Sequence, residues 1–494
     1  MPIENKSYTL RLASVLPRLL IAAISLFAVF AGLVIGFGAL GAIIALLTGV
    51  LLLGLLFKPL WLMHLILVFG LLVVGVVPLW ADGLAGKSVW GVSLLGFALM
   101  IASLVRLTTN REVARGTPTF VWLVLVFVAY VVLHSLFQWS SASEFFSGFK
   151  RYFQVTGLVF AMVWFAIDAK TISRWRLLIV IVASFQLPWT IYQLVVLVPL
   201  RESLRFAYPG MIPIDVVAGT FGSSMYSGGA NAEMATFLVI FLAFLLARHR
   251  EKLISIGRLA CFILFIVPLF LGETKVVVVL LPLMFFTLYR REFFRRPAFA
   301  LGAVVIGAGL TISAAYVYLN LLGKTFDQQL HDTVEYNLND RGYGTNVLNR
   351  TTTLTFWVKQ QGIENPAGAV LGYGLGTAHT ATGGHLTLPL AGYGIDLTAA
   401  STLLWEQGPA GLVLFILILI SAWYAAGKLV GNAVSAEIRA DASAIQATIP
   451  IFAFYLIYRV AYLESMPFQI VFYGLMGYLA WLARIANGAV RVNK

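Results

Sequence analysis

Six basic side chains in this sequence could bind an anionic group: Arg201, Arg205, Lys275, Arg341, Arg350 and Arg459. Arg201 and Arg205 share one face if their helix continues, and two guanidinium groups fit phosphate oxygens well. Lys275 and Arg459 lie in or beside strongly apolar stretches, where an ionisable residue is costly and functional by default. Together these side chains predict a site for an anionic, lipid-borne substrate with a pyrophosphate head.

Each of these residues also has a structural interpretation. The arginine pair near position 200 could reach lipid phosphates at the membrane interface, and Lys275 could pair with Glu273. Arg350 could be a solvated loop residue, and Arg459 needs a partner such as Glu464 or a bound anion. The sequence leaves these alternatives open.

Three residues could take a proton near neutral pH: Asp396, His379 and His385. Asp396 is preferred because it lies at the start of a span, on a rigid element. A carboxylate is a weak base in water, but partial burial raises its pKa and would let it serve. The two histidines lie in a Gly-rich segment whose backbone can approach a substrate closely. In the structural alternative both histidines are solvated and Asp396 caps the following span, while Glu406 caps a turn or pairs with a cation.

Metal and nucleotide sites are not expected. None of the six histidines belongs to an HxxxH pattern or an acidic cluster, and Cys261 is the single cysteine. LGYGLG at 371–376 matches neither a dinucleotide-binding nor a P-loop pattern. We therefore expect no metal and no cofactor.

The composition indicates which elements position these residues. The 494 residues are 60% hydrophobic and 11% charged, with a mean hydropathy of +0.91. An average soluble protein carries about 25% charged residues, so a soluble monomer of this composition could not cover its surface. The single cysteine and the lack of a glycine period exclude a disulfide scaffold and collagen. The sequence predicts an all-α, polytopic membrane protein.

Apolar runs of roughly 20 residues predict about fourteen spans, with 12–14 as the range, in a single integral membrane domain over 1–494. The apolar stretch of the first span is too long for a signal peptide. The predicted spans are 19–36, 39–57, 60–80, 88–105, 119–139, 152–168, 177–198, 233–247, 254–272, 275–289, 298–319, 400–426, 445–463 and 467–484.

The distribution of basic residues predicts the orientation of these spans. If both termini lie in the cytoplasm, 23 of the 34 Lys and Arg residues are on the cytoplasmic side, with clusters in short turns such as RHREK (248–252) and RREFFRR (290–296). The positive-inside rule therefore predicts that both termini are cytoplasmic. The net charge of +13 then reflects topology and attraction to anionic membrane lipids, and no nucleic-acid partner is expected.

Two segments on the outer side, 199–232 and 320–399, are too long for simple turns and are predicted to be ordered and functional. In the second, apolar residues from Val347 to Val358 recur at helical spacing, which predicts a short amphipathic helix. Asn365 precedes Pro366 and is predicted to end that helix.

In four places the chain resembles the superfamily of O-antigen ligases and Wzy-type polysaccharide polymerases of bacterial inner membranes. The resemblance covers about residues 200–425 and depends on AGTFGSSMYSGGANAEMATFLVIFLA, on LGETKVVVVLLP, on NRTTTLTFW followed by LGYGLGTA, and on STLLWEQGPAGLVLF. In this resemblance the pair Thr274-Lys275 matches the family's Ser-Arg pair, and Arg350 matches its large-loop arginine. Glu406, Gly408 and Gly411 match its Glu-x-Gly-x-x-Gly motif.

The resemblance implies metal-independent glycosyl transfer, like that of GT-C-type enzymes, from undecaprenyl-pyrophosphate-linked oligosaccharide at the periplasmic face. Ligases carry a histidine eleven residues before the first glycine of the last motif, and this position is Leu397 here. A polymerase of O-antigen or exopolysaccharide, with a chain-length regulator and a flippase as possible partners, is therefore the favoured function. The alternatives are a ligase or oligosaccharyltransferase and, since the chain has many spans, a flippase or transporter. The sequence shows no repeated halves typical of transporters.

Overall fold

The computed structural model describes residues 58–208, 211–226, 228–272, 275–296, 348–380, 383–387, 389–390, 393–432 and 435–488, and the isolated residues 54, 298, 302, 305, 327 and 331. Residues 60–494 form one compact unit, and the described part of this unit is the subject below. Within the described residues every regular element is helical and no β-strand occurs, which confirms the all-helical prediction.

Nineteen α-helices are described, and we number them in chain order. They are α1 (Pro59–Val68), α2 (Val77–Trp80), α3 (Asp82–Thr109), α4 (Thr119–Phe137), α5 (Ala142–Phe153), α6 (Gly157–Trp164), α7 (Ala169–Tyr192), α8 (Val198–Leu204), α9 (Asn231–Arg250), α10 (Ile256–Ile263), α11 (Pro268–Leu271), α12 (Val277–Leu288), α13 (Arg290–Arg295), α14 (Thr352–Trp357), α15 (Pro366–Leu371), α16 (Ala399–Asn432), α17 (Ala436–Tyr458), α18 (Ala461–Glu464) and α19 (Met466–Ala486).

Several of these helices are extended or linked by short turns of other helix types. Phe69–Val73, Gln193–Leu197 and Val358–Ile363 are π-helical, and Arg111–Ala114, Pro213–Val216, Leu264–Ile266 and His385–Thr387 are 3-10 turns. The Gln193–Leu197 turn joins α7 to α8, so that 169–204 is one continuous helical segment.

Seven described helices are long and apolar enough to cross a membrane, which agrees with the predicted class of protein. They cover Gly86–Thr109, Thr119–Phe137, Ala169–Leu204, Asn231–Arg250, Ala399–Asn432, Ala436–Tyr458 and Met466–Ala486. The predicted spans 60–80, 254–272 and 275–289 coincide with shorter apolar helices. The predicted spans 19–36, 39–57 and 298–319 lie outside the residues that form described elements.

The predicted span 152–168 is wrong as a single helix. The helix is interrupted between Phe153 at the end of α5 and Gly157 at the start of α6. The eight residues of α6 are all buried, and they are too few to cross a bilayer. Gly157 begins α6 where it crosses α3, and a Cβ there would collide with the carbonyl of Gly96. Close backbone approach at a glycine is typical of helix crossings in membranes.

The centre of the described unit is built around α17. This helix packs against α16, α9 and α12, and α19 packs against α6. The apolar windows of α9, α17 and α19 are 72–78% buried, whereas those of the other four long helices are 28–33% buried. The first group therefore forms the core, and the second presents apolar side chains at the surface, as lipid-facing helices do.

Charged side chains separate to the two ends of α9 and α17. At one end Arg248 binds Asp441 through two hydrogen bonds of 2.8 Å, and at the other end Arg459 binds Glu233 at 3.2 Å. We call the first the basic end, since Arg250, Arg290 and Arg439 bind side chains there too. We call the second the site end.

The helix α16 is broken near the site end. Gly408 has a positive φ of 66°, and Pro409 follows it. Because proline has no N–H, the carbonyl of Trp405 cannot make its usual helical hydrogen bond. The N–H of Tyr373, in the Gly-rich segment, donates to this carbonyl at 3.0 Å instead. The Gly-rich segment is thereby joined to the break.

The predicted first outer segment, 199–232, is ordered where it is described. Two buried glutamines of the α7 segment hold its AGT turn: Gln186 Oε1 accepts the N–H of Thr220 at 2.9 Å, and Gln193 Oε1 accepts that of Gly219 at 2.8 Å. Gly219 has a φ of +58°, and any side chain there would meet Gln186. The turn is therefore a packed part of the bundle.

Candidate functional site

The site is centred on a histidine and a carboxylate from two loop segments. His379 follows the LGYGLGTA segment, and Asp396 lies three residues before α16 begins at Ala399. Nδ1 of His379 is 3.0 Å from Oδ2 of Asp396, and both side chains are largely buried. When Nδ1 carries the proton of this hydrogen bond, Nε2 is the basic nitrogen of the ring.

Asp396 is held as an anion. The backbone N–H of Thr380 donates to Oδ2 and its hydroxyl to Oδ1, both at 2.9 Å. Burial alone raises the pKa of Asp396, but the hydrogen bonds from His379 and Thr380 outweigh it and lower this pKa. The expectation of a raised pKa for Asp396 was wrong, and a carboxylate with a lowered pKa is a weaker base.

The structural alternative for Asp396 was also wrong. The first turn of α16 is capped by Thr398, whose hydroxyl accepts the N–H of Ser401 at 3.1 Å. Asp396 binds His379 and Thr380 instead. The contact with Nδ1 resembles the one that the carboxylate of a catalytic triad makes with its histidine.

An ion pair lies directly beside the histidine. Arg151, near the end of α5, donates from Nη2 to Oε1 of Glu464 at 2.7 Å, and the same oxygen is 3.7 Å from Nδ1 of His379. The side chain of Arg151 is 8% exposed and that of Glu464 is 40% exposed. A buried guanidinium and a partly open carboxylate therefore border the imidazole.

Glu406 lies behind this pair, fully buried in α16. Its Oε1 accepts the N–H of Ala378 at 3.2 Å, and its charge interacts with Arg151 and with Tyr152. The prediction that Glu406 braces a cation agrees with this arrangement. The contact to Ala378 also fixes the residue that precedes His379.

Arg459 has a different partner from the one suggested by sequence. Its Nη1 binds Oε2 of Glu233 at 3.2 Å and approaches the carbonyl of Gly229 at 3.4 Å. Glu464 interacts with Arg459 only at longer range and binds Arg151 directly.

Arg350 docks on the end of α17. Its Nε donates to the carbonyl of Tyr458 at 2.7 Å, and its guanidinium stacks over the ring of this tyrosine at 4.4 Å. A cation at a helix C-terminus is favourable. Arg350 is thus not simply a solvated loop residue, and it binds the residue that precedes Arg459.

The predicted pair Arg201 and Arg205 does not form a common clamp. Arg201 is fully buried and donates to the carbonyl of Ser224 at 2.9 Å, and its charge interacts with Asp215. Arg205 follows the end of α8 and is exposed, with Glu202 as its partner at 3.1 Å. The end of the helix separates the two environments.

The remaining two predicted cations are less informative. Lys275 is exposed and lies two residues before α12, at the start of an apolar helix as predicted. Arg341 lies outside the described residues.

His385 belongs to a separate pair. Glu144, at the start of α5, accepts the N–H of His385 at 2.7 Å and lies 3.2 Å from its Nδ1. Burial raises the pKa of Glu144, but hydrogen bonds from Ser140 and His385 outweigh it and lower this pKa. His385 and His379 therefore have different carboxylate partners.

The sequence reasoning against a metal assumed that no ligand set exists, and this premise was wrong. Ligand atoms of His379, Asp396 and Glu464 lie within 4.8 Å of one another. The contacts already made favour a hydrogen-bonded arrangement, since Arg151 neutralises Glu464 and Nδ1 of His379 binds Asp396. Metal independence stays a prediction.

Sequence reasoning missed Arg151 and Glu233 as members of the site, and it named Glu464 only as a possible partner of Arg459. Glu233 offered a signal, because an ionisable residue inside an apolar span is functional by default. Arg151 offered a weaker signal, since it lies beside Lys150 and the two together resemble basic residues at the end of a span. The pairing of Arg151 with Glu464 spans 313 residues and has no local signature.

Neither a protein-family model nor a curated protein sequence matches this chain.

Proposed function

We propose that the chain is a glycosyltransferase of the bacterial inner membrane that polymerises glycan repeat units carried on undecaprenyl pyrophosphate. The observation that carries the proposal is the His379–Asp396 pair, 3.0 Å apart, beside the guanidinium of Arg151 and near Arg459. A general base next to buried cations suits transfer from an anionic, lipid-linked donor.

The proposed orientation is supported by the separation of charges. Basic turns gather at one end of α9 and α17, opposite the site. The positive-inside rule assigns such an end to the cytoplasm. In this proposal the chain has about fourteen spans, both termini are cytoplasmic, and the segments 199–232 and 320–399 are periplasmic.

The chemistry needs one proton transfer and one displacement. The acceptor hydroxyl attacks the anomeric carbon of the donor sugar and gives its proton to Nε2 of His379. The bond between the anomeric carbon and the diphosphate oxygen breaks, and its electron pair leaves with the diphosphate. Arginine side chains stabilise the charge that develops on this leaving group, and Asp396 stabilises the imidazolium.

A ligase acting on a lipid or protein acceptor is the second candidate, and one observation favours it. The ligases of the resembled family carry a histidine at the position of Leu397. In this chain His379 brings an imidazole to Asp396, the neighbour of Leu397, from another segment. The absence of a histidine at position 397 therefore argues less strongly against a ligase than the sequence alone suggests.

The test is an assay with purified protein and lipid-linked repeat units. A ladder of polymer without added acceptor supports the polymerase, and a single transfer that needs a lipid or protein acceptor supports the ligase. The reaction should continue undiminished in chelator. Transport of the lipid across vesicles without any new glycosidic bond would instead identify a flippase and refute both.

A further inference from the structure

Glu464 lies among three groups that are suited to binding an anion. Its Oε1 is 2.7 Å from Nη2 of Arg151 and 3.7 Å from Nδ1 of His379, and its charge also interacts with Arg459. Carboxylate and phosphate oxygens accept the same charge-assisted hydrogen bonds from guanidinium groups. Glu464 therefore occupies a position suited to a phosphate oxygen.

Arg151 can accept a further ligand. The residue is 7% exposed, and its Nη1 is buried without a hydrogen-bond partner among the described residues. A buried donor left unpaired is costly. The backbone of Arg151 is fixed, because its carbonyl accepts a hydrogen bond from Nε2 of Gln469 at 2.6 Å. A second anionic oxygen at this guanidinium would satisfy the donor without moving the helix.

Glu464 is placed so that it can leave. Its side chain is 40% exposed, and it ends α18, a helix of four residues between Val460 and Ser465. Glu406, the other carboxylate near Arg151, is fully buried in a long helix and is fixed by Ala378. Of these two carboxylates, Glu464 is therefore the one that can exchange places with a ligand at low cost.

We propose that Glu464 is a stand-in for the diphosphate of the donor, which displaces it from Arg151 when the substrate binds. The inference deepens the proposed function and depends on it for the identity of the ligand. It adds Arg151 to the binding residues and makes Glu464 an internal competitor. Before the substrate arrives, Glu464 keeps a buried cation paired beside the base.

The experiment measures binding of inorganic pyrophosphate to the purified full chain in neutral detergent by titration calorimetry. Glu464→Gln removes the competitor and should tighten binding by about tenfold, which equals roughly 1.4 kcal/mol. Arg151→Gln should weaken binding by at least the same factor. The matched controls are Glu437→Gln and Arg176→Gln, an exposed pair 3.8 Å apart at the basic end, which should leave the affinity unchanged.

Unchanged or weaker binding by Glu464→Gln would show that the pair is only structural and would overturn the inference. If that variant does not fold, Glu464→Asp, which shortens the side chain by one methylene, should tighten binding to a smaller degree, and unchanged binding would overturn the inference equally. Displacement of pyrophosphate by phosphatidylglycerol would assign the site to a lipid headgroup and refute the donor as ligand.

The same variants separate this inference from the proposed function. If pyrophosphate binding changes as expected but no polymer forms from lipid-linked repeat units, the glycosyltransferase is refuted and the anion site is still supported. Polymer formation without the change in affinity would refute the stand-in role of Glu464 alone.

Discussion

Gly374 donates its backbone N–H to the carbonyl of Glu406 at 2.7 Å. This bond joins the Gly-rich segment LGYGLG to the broken helix that carries EQGPAG. Through the carboxylate of Glu406 the same helix holds the N–H of Ala378, and His379 is the next residue. The two motifs therefore form one unit that positions the imidazole.

Gly372 should be a sensitive glycine of this unit. It has a φ of +66°, and a Cβ there would lie 2.6 Å from the backbone nitrogen of Gly408. Gly383, with a φ of +68° and no atom within 4 Å of an added Cβ, is the matched control. Gly372 also has a ψ of −171°, a backbone conformation open essentially to glycine alone, so both the backbone and the contact with Gly408 oppose an alanine there.

We expect Gly372→Ala to lower the temperature of half-aggregation in detergent by several degrees more than Gly383→Ala does. Size-exclusion chromatography after heating measures this temperature. Equal shifts for the two variants would mean that the contact with Gly408 does not matter.

Replacing the base and its orienting carboxylate should separate their roles. We expect both His379→Gln and Asp396→Asn to lower the rate of glycosyl transfer by roughly 10²-fold or more. The rate should rise with pH, because a general base must be unprotonated to take the acceptor's proton. Asp396→Asn should keep this rise at a lower rate, because Asp396, with its lowered pKa, is already ionised near neutral pH.

A steady-state pH profile of each variant is the measurement, with His385→Gln for comparison. His385 pairs with Glu144 and not with Asp396, so its loss should cost less than that of His379. Full activity of His379→Gln together with an inactive His385→Gln would move the base to the Glu144 pair.

The sequence predicts the parts of this molecule that depend on local patterns. The structure has a helix at Thr119–Phe137 where a span is predicted at 119–139, and one at Met466–Ala486 where a span is predicted at 467–484, because long apolar runs define both. The preceding helical segment ends at Ile363, just before the Asn-Pro pair that is predicted to stop it, and Asn365 caps the next helix. Such features depend only on neighbouring residues.

The site depends on contacts that local patterns do not contain. His379 and Asp396 are 17 residues apart, and Arg151 and Glu464 meet only through the packing of α18 near α5. The pKa of Asp396 also depends on hydrogen bonds from residues distant in sequence. The sequence suggests only that Asp396 is partly buried, and burial alone would raise its pKa.

Cations of the site end should matter for transfer more than for folding. We expect Lys275→Ala and Arg350→Ala each to abolish polymer formation while the protein remains in the membrane. Arg350→Lys should recover little activity, since lysine lacks the planar group that stacks on Tyr458. Immunoblots of membranes and polymer ladders measure the two effects, and wild-type ladders from the alanine variants would contradict an anion site.

The hydrogen-bonded pair of Asp396 and His379 should stabilise the protein only above acidic pH. The folded-state pKa of Asp396 is lowered from its ordinary value of 3.8, and an unfolded aspartate titrates near about 3.9. The stabilisation is therefore complete above the unfolded value and is lost as the pH falls through the lower, folded one. Asp396→Asn should be less stable than wild type at pH 5–7 in thermal unfolding, with a difference that shrinks below about pH 4. A constant difference would exclude this carboxylate as its source.

The orientation is tested by labelling single cysteines in a Cys261→Ser background, since Cys261 is exposed and would react. Glu364 and Glu437 are both exposed, the first in the 320–399 segment and the second at the basic end. A membrane-impermeant maleimide should label Glu364→Cys in intact cells with a permeable outer membrane. It should label Glu437→Cys only after the inner membrane is lysed, because the positive-inside rule places the basic end in the cytoplasm. The reverse pattern would put the histidine and its cations in the cytoplasm and would refute a periplasmic reaction.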